Sequence, residues 1–115
     1  MKDQMIIASI QMYSTGDKER NLQTMEKYLE HINKAFPNIK MAVFPELAAH
    51  GSISNMRKEA EVIPGELASI FSNMANKYNL WLIPGSIYEK SDNEIFNTTP
   101  VFSSGGDLLG KYRKR

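Results

Sequence analysis

Met41-Ala42-Val43-Phe44-Pro45-Glu46-Leu47 is the stretch that decides the fold. An unbroken apolar run that ends at a turn signal reads as a strand buried on both faces. Pro45 has no N–H and a fixed φ, so the strand is expected to stop there. Glu46 then stands at the carboxyl end of a buried strand, which is where open α/β sheets place their ligands. Two readings follow for it. Partial desolvation would raise its pKa and make it a general base near neutral pH. Alternatively it is a surface glutamate opening a turn or helix, stabilised by nearby N–H groups.

On the amino-terminal side, Met5 to Met12 has one apolar face (Ile6, Ala8, Ile10, Met12) and one mixed face (Met5, Ile7, Ser9, Gln11). That pattern predicts a first, buried strand. Ser14, Thr15 and Asp17 are capping candidates. Leu22, Met25, Leu29, Ile32 and Phe36 then recur at helical spacing, and Pro37 closes the helix. The opposite face is charged, and His31 lies off the apolar stripe, on the solvent side. Strand, helix, strand in this order predicts a right-handed βαβ unit with parallel strands.

On the carboxyl side, Ala48 to Asn55 reads as a loop at the strand ends, with His50 in it, either touching a substrate or, as is commoner for a lone loop histidine, simply exposed, and Ser52 and Ser54 beyond. A short helix is expected within Asn55 to Glu61. Pro64-Gly65 breaks the chain, and Leu67, Ile70, Phe71, Met74 and Tyr78 form a second helical stripe ending near Asn79. Leu80 to Ile83 is a third strand, interrupted at Pro84-Gly85 and continued outward by Ser86-Ile87-Tyr88. Glu89 to Glu94 reads as a polar loop. Ile95 to Phe102, a Ser103-Ser104-Gly105-Gly106-Asp107 turn and Leu108 to Tyr112 make a hairpin.

The chain has 115 residues, enough for one small domain. Its 42% hydrophobic and 23% charged residues are ordinary for a globular protein. A net charge of +1 makes no case for nucleic acid or an anionic membrane. There is no cysteine, hence no disulfide, thiolate nucleophile or thiolate metal site within this chain. His31 and His50 alone do not make a metal site. No run is long enough to span a membrane and no cleavage site follows the first strand, so the expected localisation is cytoplasmic.

Several segments together resemble the nitrilase, or carbon–nitrogen hydrolase, superfamily. They are Phe44-Pro45-Glu46-Leu47, Pro84-Gly85-Ser86-Ile87, Phe96-Asn97-Thr98 before Val101-Phe102, and Gly110-Lys111-Tyr112-Arg113-Lys114, with Gln11 at the end of the first strand. The resemblance covers the whole chain and implies an α/β fold, the N-terminal part of a four-layer α-β-β-α sandwich. It implies hydrolysis of nonpeptide carbon–nitrogen bonds in small-molecule amide, carbamoyl or nitrile substrates. It implies a Glu-Lys-Cys triad with no metal or organic cofactor, and homo-oligomers associated through the sandwich. By motif, Glu46 matches the general base and Lys114 the lysine that stabilises the tetrahedral intermediate. Lys111 shares a strand face with Arg113 and not with Lys114.

The chain departs from the pattern in lacking the nucleophilic cysteine, which the family places after the lysine motif. The sequence is therefore expected to be a single, incomplete hydrolase domain, inactive by itself. The alternative is a noncatalytic α/β domain that keeps the scaffold and binds a partner or small molecule. Reading Lys111, Arg113, Lys114 and Arg115 as a nucleic-acid patch has less support, because four basic residues at a chain end are weak evidence. In a sandwich lacking its other half, an inner sheet face drawn from Ile6, Ala8, Ile10, Val43, Trp81 and Ile83 is expected to be open, and the basic tail to fray.

Overall fold

A computed structural model describes residues 3–51 and 56–115. The elements run β1 (Ile6–Ser9), α1 (Lys18–Ala35), β2 (Ile39–Val43), α2 (Met56–Glu59), α3 (Glu66–Tyr78), β3 (Trp81–Ile83), β4 (Ile87–Ser91), β5 (Glu94–Phe102) and β6 (Leu108–Arg113). Ser52, Ser54 and Asn55 lie outside the described residues.

The βαβ expectation holds: β1, β2 and β3 are parallel neighbours, with Ala8 beside Ala42 and Ala42 beside Leu82. β5 runs antiparallel to β3, β4 and β6. β4 and β6 flank opposite sides of β5 at Thr98, and β3 and β6 do so at Phe102, so β3 and β4 share one side. They are one interrupted strand. Pro84-Gly85-Ser86 inserts a single-residue register shift between them, which is the bulge that a proline and a positive-φ glycine permit.

α1 begins where Asp17 caps it by accepting the Arg20 N–H at 3.2 Å. Met25, Leu29 and Ile32 are buried, with Leu22 packed at the margin. Phe36, expected in the stripe, is half exposed: it is the C-cap, and the helix has already unwound there. His31 is exposed as expected, edge-on to that ring. α3 ends at Asn79 in the left-handed region, φ 52°. Both helices pack on one sheet face, over Ala42, Phe44, Leu82 and Phe102. Fully burying side chains of this size contributes on the order of 1.5–3 kcal/mol each.

Neither α1 nor α3 covers the other sheet face. Ile7, Met41, Val43, Trp81 and Ile83 alternate onto it, half buried except for Ile7, which is 51% exposed. The open-face expectation is thus met by Val43, Trp81 and Ile83. It fails for Ala8 and Ile10, which pack toward the helices. β1 as a whole is not buried, because it is the sheet's edge strand and has no cover on that side.

Two further expectations are corrected. Glu89 is no loop residue: β4 extends to Ser91, and Glu89 follows Ile87 onto the buried side. The basic tail does not hang free. β6 pairs with β5 through Arg113, and the Lys114 N–H donates to the Asn97 carbonyl at 2.8 Å.

Candidate active site

β2 delivers Glu46 to the carboxyl ends of the parallel strands. The turn that follows is held from several sides. Leu47 takes φ 53°, unusual for a bulky residue, and its N–H donates to Ser86 Oγ at 3.0 Å. Ser14 Oγ donates to the Ala48 carbonyl, and Asn21 Nδ2 to the Ala49 carbonyl, each at 2.8 Å. Gly85 at φ 84° lies so close to the Pro45 carbonyl that a side chain there would collide with it. Three segments therefore fix the backbone on either side of Glu46.

Asn97 of β5 and Lys114, just past β6, approach from the hairpin. Asn97 Nδ2 donates to Glu46 Oε2 at 2.7 Å, and Lys114 Nζ reaches the same oxygen at 3.2 Å. The structure thus brings together the two residues singled out by sequence, which are 68 positions apart. Asn97 belongs to a segment quoted for the resemblance, yet nothing in the sequence alone gave it a contact. Its signal lies in its place one strand over from Lys114 in the hairpin register. Glu46 Oε1 accepts no hydrogen bond among the described residues. A cavity of about 310 Å³ opens here, lined by Phe44, Glu46, Ser86, Asn97, Tyr112 and Lys114 among others.

The expected rise in the Glu46 pKa is not found. Its side chain is 54% exposed. The hydrogen bond from Lys114, then that from Asn97, then the ammonium charge hold the carboxyl below its ordinary value, against a small opposing effect of burial. Lying on the open sheet face, the carboxylate loses too little water to offset two donors. Glu46 is consequently ionised at neutral pH, with one oxygen engaged and, among the described residues, no donor on the other.

The alternation in β6 separates the two lysines. Tyr112 and Lys114 lie on the open face with Asn97 and Thr99, while Lys111 and Arg113 lie on the other with Thr98 and Pro100. There Lys111 Nζ and Arg113 Nε both donate to Glu89, Arg113 at 2.8 Å.

His50 is a second residue that sequence reasoning misplaced. It is 1% exposed, tilted against the Tyr88 ring at 5.3 Å, and neither ring nitrogen has a hydrogen-bond partner among the described residues. Burial, followed by the nearby Lys18 charge, lowers its pKa.

Fold and geometry define an α/β protein with a carboxylate–ammonium pair at the ends of its parallel strands. Residues 6–115 match the family model described as carbon-nitrogen hydrolase, and the chain belongs to that family. It is 37% identical over 109 residues to the omega-amidase NIT3 of Saccharomyces cerevisiae, covering 88% of this chain and 37% of the relative. It is 32% identical to the omega-amidase NIT2 of Danio rerio, covering 94% and 39%. The crystal structure of S. cerevisiae Nit3, a member of branch 10 of the nitrilase superfamily, matches with a TM-score of 0.85 at 32% identity, over 96% of this chain and 44% of that one. The expected fold class is borne out, and the chain spans about two fifths of the length of these relatives. No helix among the described residues is long and apolar enough to cross a membrane.

Proposed function

We propose that this chain is the part of a single carbon–nitrogen hydrolase domain that supplies a general base, Glu46, and an electrophilic cation, Lys114, for cleavage of a small-molecule amide. The observation that carries the proposal is the meeting of Glu46, Lys114 and Asn97 at one carboxylate oxygen, the other accepting no hydrogen bond among the described residues. The relatives named omega-amidases favour an amide over a nitrile or carbamoyl substrate.

The chemistry is the one that the resemblance to the family implies, with these two residues in its roles. Glu46 Oε1 takes the proton of a thiol, and the thiolate attacks the amide carbonyl carbon. Charge builds on the carbonyl oxygen, and the Lys114 ammonium offsets it. Collapse expels the amine with the proton carried by Glu46 and leaves a thioester. Water, deprotonated by Glu46, hydrolyses the thioester and regenerates the thiol. This chain has no cysteine, so the thiol comes from outside these 115 residues. The purified chain alone is expected to show no amide turnover.

A chimera tests the reading. This chain replaces the matching 109-residue segment of the yeast omega-amidase. Amide turnover that Glu46→Gln abolishes supports the assignment. Turnover indifferent to Glu46→Gln overturns it and favours a scaffold that binds without catalysing.

A further inference from the structure

We propose that Glu89 is the positioning residue for Lys114: it fastens the end of β6 from the opposite face of the sheet and so holds the ammonium against Glu46. The inference rests on the reading of Glu46 and Lys114 as the working pair.

Glu89 is 1% exposed, and three donors converge on it. Thr98 Oγ1 and Arg113 Nε each stand at 2.8 Å from Oε1, and Lys111 Nζ meets Oε2. The contacts cross three strands, from β4 over β5 to β6. They lie on the helix-side face, whereas Glu46, Asn97 and Lys114 lie on the open one. The two clusters share no side chain. They share the β6 backbone, because Arg113 is the residue immediately before Lys114.

β6 needs such a fastening. It is an edge strand joined to β5 alone, and most of its side chains are exposed. Apart from Glu89, the Arg113 side chain meets the Phe96 ring, its guanidinium 4.1 Å from the centroid. Without the Glu89 charge, Lys111 and Arg113 would be two cations two residues apart on one strand face, with the weaker influence of Glu94 and Asp92 left on Arg113. The strand end would then peel from β5, taking with it the Lys114 N–H that is bonded to Asn97.

The sign of one measurement separates positioning from simple electrostatics. Removing a nearby carboxylate lowers the pKa of Glu46 through space. Losing Lys114 raises it, since Lys114 is the main cause of its depression. The experiment is a carbon-13 NMR titration of the Glu46 carboxyl in the 115-residue chain, together with amide exchange at Lys114. Glu89→Gln is expected to move the Glu46 titration upward and to speed exchange at Lys114 roughly tenfold or more, with α1 amides unchanged. Arg113→Met, which leaves Glu89 still paired with Lys111, removes a cation and so raises the Glu46 titration through space by itself. It is read by amide exchange at Lys114 alone, which is expected to speed up, and serves in that readout if Glu89→Gln does not fold. Lys111→Arg should restore wild-type behaviour by keeping the pair. Glu30→Gln, at a surface ion pair on α1, should change nothing. A folded Glu89→Gln chain whose Glu46 titration is unmoved or shifts downward, or a folded Arg113→Met chain whose Lys114 amide exchanges at the wild-type rate, overturns the proposal. That failure leaves the chimera kinetics of Glu46 intact, and an inactive Glu46 role would leave this coupling measurable, so the two claims fail separately.

Discussion

Replacing Gly85 with alanine tests how the turn around Glu46 is built. Gly85 sits at φ 84°, a conformation that costs an L-residue about 1–2 kcal/mol. The added Cβ would stand 3.0 Å from the Pro45 carbonyl carbon and closer still to its oxygen. A carbonyl of the main chain cannot rotate aside as a flexible side chain does. Relieving the contact shifts the backbone between β2 and β3, at about 1–3 kcal/mol, in the manner of an overpacked core. The sum is about 2–5 kcal/mol. For a chain of this length that corresponds to a fall in Tm of roughly 8–20 °C. Gly110→Ala is the control, since nothing lies within 4 Å of its added Cβ and its φ is not positive. It is expected to leave Tm unchanged or slightly raised. The assay is thermal unfolding followed by circular dichroism, with the Glu46 titration alongside. Because Pro45 carries Glu46, the displaced carbonyl should also loosen the contact with Lys114 and let the Glu46 pKa rise. A Gly85→Ala chain that melts within about 2 °C of wild type would refute the reasoning.

Three other outcomes are expected. Burial pushes the Glu89 carboxyl up, but Arg113, Lys111 and Thr98 outweigh it and hold the folded value at about 2, below the ordinary 4.5. The corresponding stability, at most about 3 kcal/mol, is present above pH 4.5 and is lost as pH falls through about 2; urea unfolding across that range should show the loss flattened in Glu89→Gln. The folded pKa of His50 is depressed by burial, so acidification below its ordinary 6.5 destabilises the folded chain; His50→Leu should remove that slope between pH 7 and 5 in the same assay. Asn21, 1% exposed, joins α1 to the Thr15 and Ala49 backbones, and Asn21→Ala should cost about 2 kcal/mol in chemical unfolding by leaving those groups unpaired.

The elements that sequence revealed are those written in local pattern. The helical stripes of α1 and α3 and the glycine turn between β5 and β6 each lie within one segment. Pro45 marks the end of β2, and the resemblance matched Glu46 and Lys114 to roles before their contact was visible. The misplaced residues depend on partners far along the chain. Glu89 looks like any polar residue after an aromatic until Lys111 and Arg113, 22 and 24 positions on, fold across β5 onto it. Its signal was the alternation with Ile87, which puts a carboxylate on a buried face opposite two cations spaced by two. His50 is covered by Tyr88, a contact no local pattern encodes. The direction of the Glu46 pKa was missed for the same reason: its depression comes from Lys114 and Asn97, both beyond the local stretch.

The central claim is that Lys114, and not Lys111, is the cation that works with Glu46. The most direct measurement is kcat for amide hydrolysis by the yeast chimera carrying Lys114→Met or Lys111→Met. Loss of the charge at the developing oxyanion should lower kcat by about 10²–10³ for Lys114→Met. Lys111→Met, which leaves Arg113 on Glu89, should lower it less than about tenfold. Equal losses at the two positions, or full activity in Lys114→Met, would contradict the account.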